Sequence, residues 1–205
     1  MVLNNYYSTT GYKIFFKLKP LIKGLLKLRV KGVENVPLEG GVILAANHKS
    51  HLDPIVLNTA SPRPVLFLAK EELFKPPLLG WFVKNAGAIP VSRNGRDVKS
   101  LKLALKALKD KQCIGIFPEG RRMPPDKFGK AQSGVGLLAT RTNTPVVPVL
   151  IEGTEKILPR ESKFPKLFKY DINITFGEPI IFGKDVDYNQ ASQEIMERIK
   201  SLKTR

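Results

Sequence analysis

The sequence GVILAANHKSHLDP (residues 41–54) passes from a short apolar run through a polar loop to a helix start that contains proline. An apolar run of this length, bounded by polar loops, is typical of a strand buried on both faces. Further strands are predicted at 65–69, 88–91, 113–117, 146–151 and 171–176. Helices are predicted at 77–86, after a cap at Asp97, at 131–142 and from about Asn189. Strands that alternate with helices of this length predict an α/β fold, with a mostly parallel central sheet flanked by helices.

Length and composition limit the class of protein. The 205 residues suit a single well-buried domain, and Cys113 is the only cysteine, so an intrachain disulfide is impossible and a reducing compartment is favoured. No apolar run approaches the roughly 20 residues of a spanning helix, and lysines interrupt every candidate signal-peptide core. The formal net charge of +16 favours an anionic partner, which could be nucleic acid, anionic lipid or a phosphorylated substrate.

The N-terminal segment is basic and amphipathic. Residues 11–33 contain seven basic residues and no acidic residue. On a helix, one face collects Ile14, Phe15, Leu18, Leu21, Ile22, Leu25, Leu26 and Leu28, and lysines occupy the other face. Pro20 is expected to kink or split this helix. The segment could be a surface helix packed on the core, but the absence of acidic residues favours an interfacial membrane anchor. We therefore divide the chain into a helical membrane-association segment, 1–32, and a globular domain, 33–205.

His48 and Asp53 lie five residues apart between the first strand and the following helix. A carboxylate that accepts the proton of one imidazole nitrogen fixes the tautomer and leaves the other nitrogen as a general base for a hydroxyl. As the predicted N-cap of the helix, Asp53 would be held in place. Two alternatives remain open. Asp53 could be only a cap beside a polar loop histidine, or His48, His51 and Asp53 could bind a metal, although no other His or Cys cluster would complete that site.

Three further motifs stand at predicted strand ends. FPEGRR (117–122) places two arginines beside a glycine, which suits phosphate binding, although a charged surface turn is the simpler interpretation. GAIPVSR (87–93) places Arg93 after another strand. VPVLIEG (147–153) has Pro148 inside a strand, which predicts a sheet edge or a bulge. The segment around Ser133 lacks the nucleophile elbow of a serine hydrolase, and no nucleic-acid-binding motif is found.

The four motifs, in this order, resemble the four blocks of the glycerolipid acyltransferases, and specifically the 1-acylglycerol-3-phosphate acyltransferase family. The resemblance covers roughly residues 30 to 180 and departs from the usual blocks at Arg121, where threonine is commoner. It implies acyl transfer from a thioester to the sn-2 hydroxyl of lysophosphatidate, with His48 as general base and Asp53 orienting it. It also implies an acceptor site formed by Arg93, Glu119, Gly120 and Arg122, with Lys130 as a further basic candidate. Pro148 would shape the acyl-donor side.

The same resemblance implies the partners. The donor would be acyl-CoA or an acyl carrier protein thioester, with no metal and no other cofactor. The protein would act on an anionic membrane at the cytoplasmic face of the cell membrane, as a peripheral or monotopic protein, and would not bind nucleic acid. A related acyltransferase acting on glycerol 3-phosphate or another lysophospholipid is the nearest alternative, and a basic nucleic-acid-binding protein is the alternative from another class.

Overall fold

A computed structural model describes residues 9–75, 80, 88–91, 98–162, 165–166 and 168–203. The strands in these residues are β1 (Leu28–Lys31), β2 (Val42–Ala46), β3 (Val65–Lys70), β4 (Ala88–Val91), β5 (Cys113–Ile116), β6 (Val146–Glu152) and β7 (Ile172–Phe176). The helices are α1 (Thr9–Leu25), α2 (Asp53–Ala60), α3 (Val98–Lys109), α4 (Ser133–Thr142), α5 (Thr154–Ile157) and α6 (Tyr188–Ser201), with short 3-10 helices at Val33–Asn35 and Glu71–Phe74. The predicted helix at 77–86 and the predicted cap at Asp97 lie outside the described residues, except for Gly80.

The strands form one sheet in the order β1-β7-β6-β2-β5-β3-β4. Strands β2 to β6 run parallel to one another, whereas β7 is antiparallel to β6, and β1 is parallel to β7. One apolar cluster joins the sheet to α2 and to the end of α1, and another joins its opposite face to α3, α4 and α6. The expected α/β fold with a mostly parallel sheet is confirmed. Because β2, β5 and β6 are parallel neighbours, their carboxyl ends meet at one edge of the sheet.

The N-terminal segment differs from the prediction at its C-terminal end. Helix α1 ends at Leu25, and Lys27 adopts a left-handed conformation with φ 44° before the chain enters β1. The prediction of helix through residue 32 is therefore wrong for residues 28–31, which pair with β7. Leu28 is buried, while Arg29 and Lys31 are exposed. The four residues LRVK alternate as an edge strand does, but so short a run also continues the helical pattern before it.

The apolar face of α1 is divided between the core and the surface. Phe15 is buried, and Ile22 packs partly against the core. Ile14, Leu18 and Leu21, which share one stripe of the helix, are 44%, 42% and 58% exposed. In the described part of the chain, no helix is long and apolar enough to cross a membrane. The amphipathic helix is thus packed on the domain along one side and presents a separate apolar stripe to the surroundings.

Pro148 lies in the interior of the sheet, because β6 is flanked by β2 and β7. Of the two predicted alternatives, a sheet edge or a bulge, the edge is therefore wrong. Beside the proline, the pairing with the neighbouring segment changes register. Val149 faces Phe176, but Val146 bridges to Ile180. The segment from Phe176 to Ile180 therefore contains one residue more than the stretch of β6 from Val146 to Val149 that it faces. Such an irregularity is the kind of bulge that tolerates the missing N–H of a proline.

Candidate active site

His48 and Asp53 meet directly beyond the carboxyl end of β2. Nδ1 of His48 lies 2.8 Å from Oδ2 of Asp53. The side chain of Asp53 is 1% exposed, whereas that of His48 is 18% exposed. A buried carboxylate on Nδ1 keeps the proton of a neutral imidazole on that nitrogen and makes Nε2 the accepting nitrogen. The pair therefore has the arrangement of a general base that faces outward from a fixed support.

The carboxylate of Asp53 accepts hydrogen bonds from three further donors. Oδ2 accepts from the backbone N–H groups of Lys49 and Ser50 at 2.6 and 2.8 Å, and Oδ1 accepts from the Thr154 hydroxyl at 2.6 Å. The prediction that Asp53 is the N-cap is wrong, because Leu52 holds that position and Asp53 is the first residue of α2. The carboxylate instead caps the turn that precedes it. Four donors hold it in place, which is a stronger restraint than the expected cap.

Asn47 extends the pairing of β2 with β6 by means of its side chain. Its Nδ2 donates to the carbonyl of Ile151 at 2.8 Å, and its Oδ1 accepts from the N–H of Ile151 at 2.7 Å. Both residues are fully buried. The main-chain pairing of β2 with β6 can therefore end one residue before His48, while the N–H and C=O groups of Ile151 remain hydrogen-bonded. Neither this role of Asn47 nor that of Thr154 was predicted from the sequence.

Glu119 supports the backbone of the histidine. It is 3% exposed, and its two carboxylate oxygens accept from the N–H groups of His48 and Gly129, both at 2.7 Å. The carbonyl of His48 accepts from the N–H of Met123 at 2.7 Å. Glu119, which is predicted for the acceptor site, thus holds the histidine loop and the segment after β5 together.

The loop after β5 also contacts the histidine from the side. The ring of Phe117 stacks on that of His48, with 4.2 Å between centroids and 21° between planes. The ammonium group of Lys49 donates to the carbonyl of Pro125 and lies 5.0 Å from the ring centroid of Phe128. Burial lowers the pKa of Lys49, and the charge of Glu155 opposes that shift. These contacts cover one side of His48, whose side chain remains 18% exposed.

His51, the third residue of the predicted metal site, lies three residues after His48 in the same loop. It is exposed, and its pKa is lowered by partial desolvation first and by the charge of Arg122 second. Among the described residues, no three His, Cys, Asp or Glu side chains are grouped so that they could hold a metal ion. A histidine whose Nδ1 is held by a carboxylate is able to accept a proton at Nε2.

The remaining predicted residues occupy several positions. Gly120 is exposed, with φ +65°, in the turn where its N–H bonds to the carbonyl of Phe117. Arg122 is half-buried on the same loop, and Lys130 is exposed beyond it. Pro148 is buried within β6. Arg93 lies outside the described residues.

The chain is similar to known proteins over most of its length. Residues 27–152 match the family model described as acyltransferase. A 1-acyl-sn-glycerol-3-phosphate acyltransferase of Bacillus subtilis is 32% identical over 165 residues, 78% of each chain. A chloroplastic 1-acyl-sn-glycerol-3-phosphate acyltransferase of Arabidopsis thaliana is 30% identical, and this chain spans about half of its length. The crystal structure of the 1-acyl-sn-glycerophosphate acyltransferase PlsC from Thermotoga maritima superposes with a TM-score of 0.73 at 28% identity, over 95% of this chain and 80% of that one.

Proposed function

The chain belongs to the acyltransferase family, and from that membership we propose that it transfers a fatty acyl group from a thioester to the sn-2 hydroxyl of lysophosphatidate, forming phosphatidate. The observation that carries the proposal is the pair of His48 and Asp53, 2.8 Å apart, with the carboxylate buried and the imidazole accessible. The similarity to enzymes named for this reaction supports the choice of acceptor.

His48 acts as the general base. Its Nε2 removes the proton from the sn-2 hydroxyl as that oxygen attacks the thioester carbonyl carbon. Asp53 holds the ring and stabilises the imidazolium that forms. When the tetrahedral intermediate collapses, the carbon–sulfur bond breaks and the thiolate receives the proton from His48. The products are phosphatidate and the free thiol of coenzyme A or of acyl carrier protein, and the histidine is again neutral.

The charges around the pair suit an acceptor that carries a phosphate. Arg122 lies on the loop that supports His48, and its charge lowers the pKa of His51 after the larger effect of desolvation. A guanidinium on this loop can bind a phosphomonoester by a charge-assisted contact while the hydroxyl reaches Nε2. By the family resemblance, the proposed acceptor site would also include Arg93, Glu119, Gly120 and Lys130, and Pro148 would shape the donor side.

The exposed stripe of α1 supports attachment to a membrane surface, where the acceptor resides. Ile14, Leu18 and Leu21 would enter the boundary of the acyl chains, while Lys13 and Lys17 would meet anionic headgroups. Each basic group near such a surface contributes about 1 kcal/mol. Contact with the cytoplasmic leaflet of the cell membrane agrees with this charge.

The reaction is tested by incubating the protein with lysophosphatidate and either acyl-CoA or an acyl carrier protein thioester, with phosphatidate measured by mass spectrometry. His48→Ala is expected to lose about 10²- to 10⁴-fold in rate, the usual effect of removing a general base. His51→Gln is the matched control, because it removes the only other histidine, three residues away. It should retain activity. If both variants are inactive, the two histidines act together and the metal interpretation returns.

Failure with both donors would contradict the proposed acceptor. Product formed instead from glycerol 3-phosphate or another lysophospholipid would retain the chemistry of His48 but assign a different substrate. Arg122→Ala is expected to weaken acceptor binding by about 1.5–3 kcal/mol, the range for a hydrogen bond to a charged group. An unchanged affinity would place the phosphate elsewhere.

Membrane attachment is tested by sedimentation with anionic liposomes. Serine at Ile14, Leu18 and Leu21 should release the protein from the vesicles, because it removes the apolar stripe and leaves every lysine in place. Serine at Leu38, Leu103 and Ile181 is the matched control, since it removes three exposed apolar side chains from other parts of the surface. Equal binding of the two triple variants would show that α1 is not the site of attachment.

A further inference from the structure

We propose that Thr154 is a positioning residue of the acyl transfer, which orients the carboxylate of Asp53 toward His48; this inference rests on the function proposed above. The hydroxyl of Thr154 donates to Oδ1 of Asp53 at 2.6 Å, and Thr154 is fully buried. The two residues are brought together from different parts of the chain, one at the start of α2 and the other directly after β6.

The division of donors between the two carboxylate oxygens gives Thr154 its role. Oδ2 receives His48 and two backbone N–H groups, and Oδ1 receives Thr154. Without a donor on Oδ1, the carboxylate would lose one of the contacts that fix its plane, and its negative charge would be less delocalised over fixed donors. An oxygen left unpaired in a fully buried place is also costly.

The backbone holds the threonine at this position. Gly153, the preceding residue, has φ 94°, and an added Cβ would lie 2.3 Å from the carbonyl oxygen of Asp171. Its conformation therefore requires glycine, and it turns the chain from β6 into α5. The N–H of Gly153 bonds to the carboxylate of Glu155 at 3.1 Å. The turn is thus set by its own contacts and does not depend on Asp53.

A second hydrogen bond joins the same two segments. The hydroxyl of Ser50, in the loop of the histidine, donates to the carbonyl of Leu158 at 3.0 Å, and Leu158 follows α5. The loop and α5 are therefore already attached to each other without the Thr154 hydroxyl. For that reason, loss of the hydroxyl should change the carboxylate more than it changes the fold.

The experiment compares Thr154→Val, which retains the shape and removes the hydroxyl, with Thr154→Ser, which retains the hydroxyl. Thr154→Val should lower kcat about 10- to 100-fold with little change in KM, because the carboxylate loses a contact that fixes its plane and orients the imidazole less well toward the hydroxyl. A carboxylate with one donor fewer stabilises the imidazolium better, so the acid limb of kcat/KM against pH should move upward by about half a pH unit. Thr154→Ser should restore both quantities.

Thr140→Val is the matched control for removing a buried threonine hydroxyl. Thr140 is 5% exposed, and its hydroxyl bonds to the carbonyl of Gly136 within α4. Thr140→Val can alter stability but should leave kcat and the pH profile as in the wild type. The proposal is overturned if Thr154→Val has the wild-type kcat and pH profile, or if Thr154→Ser is impaired as severely as Thr154→Val.

A spectroscopic measurement separates this inference from the proposed function. With only two histidines, a protein labelled with ¹⁵N-histidine gives signals that His51→Gln assigns. The Nδ1 proton of His48 should appear in the wild type as an N–H proton that is hydrogen-bonded to a carboxylate. In Thr154→Val its signal should shift, and the proton should exchange faster with water. An unchanged signal contradicts the positioning role even if acyl transfer occurs. A changed signal in a protein that transfers no acyl group supports the role of Thr154 and contradicts the proposed reaction.

Discussion

Replacement of Asn47 by alanine should destabilise the domain strongly, because its side chain bonds to both the N–H and the C=O of one buried residue. The variant removes the bonds of Nδ2 and Oδ1 to the carbonyl and N–H of Ile151, at 2.8 and 2.7 Å. Ile151 is fully buried in an interior strand. Each backbone group left without a partner costs about 1–3 kcal/mol, so the expected loss is about 4 kcal/mol. For a domain of this size, that corresponds to a fall in Tm of roughly 8–16 °C.

The free energy of unfolding is measured by urea denaturation followed by circular dichroism. Asn173→Ala is the matched control, because it removes an exposed asparagine side chain from β7, the other neighbour of β6. Its stability should remain within about 0.5 kcal/mol of the wild type, as for most surface substitutions. If Asn47→Ala is no less stable than Asn173→Ala, the side-chain extension of the ladder does not stabilise the sheet.

A second substitution at the same position tests the direction of the two hydrogen bonds. In Asn47→Asp, one carboxylate oxygen can still accept from the N–H of Ile151, but the other faces the carbonyl oxygen and can donate only when protonated. Its deficit in stability relative to the wild type should therefore be largest at neutral pH and should shrink as the pH falls. A deficit that does not depend on pH would contradict the assignment of donor and acceptor.

Two further perturbations follow from the packing. Gly136→Ala should destabilise the contact between α4 and α6, because the new Cβ would lie 2.0 Å from the carbonyl oxygen of Tyr188. Gly134→Ala is the control, since its Cβ would have no atom within 4 Å. In urea denaturation, the control should be neutral or slightly stabilising. Equal midpoints for the two variants would contradict this close approach. Burial lowers the pKa of Lys19 to about 8. Between pH 8 and 10.5 the unfolded state therefore binds more protons than the folded state. The free energy of unfolding should rise by about 3 kcal/mol over that range, relative to Lys19→Met. Parallel curves of unfolding free energy against pH for the two proteins would show that Lys19 is not buried in this way.

The parts of the site that the sequence predicted are those that depend on neighbouring residues. His48 and Asp53 are separated by five residues and one turn, so the end of β2 and the start of α2 suffice to bring them together. Thr154 and Ile151 reach the same place from about 100 residues away. Their contacts depend on the position of β6 beside β2, and the order of strands in a sheet cannot be read from the hydrophobic pattern of each strand.

The errors in the predicted fold have a similar physical cause. The segment LRVK continues the helical pattern before it, because four residues are too few to distinguish a period of 2 from one of 3.6. Its pairing with β7 makes it a strand. Pro148 predicts an edge or a bulge, because its strand lacks one donor, and the sequence of β6 alone does not decide between them. The structure places it inside the sheet, beside an extra residue of the neighbouring segment, which is a property of the pair of segments and is absent from either sequence alone.

Because β1 pairs with β7, β1 can join the sheet only after β7 has been synthesised. Leu28 lies opposite Ile172, so β1 must wait for a partner that is made about 140 residues later. Contacts between residues so far apart in the sequence form slowly, because the long intervening loop must close first. Until β7 has been made, β1 therefore has no partner at that edge of the sheet. Arg29 and Lys31 point outward from that strand, and their charges discourage it from adding to the sheet of another chain while it waits.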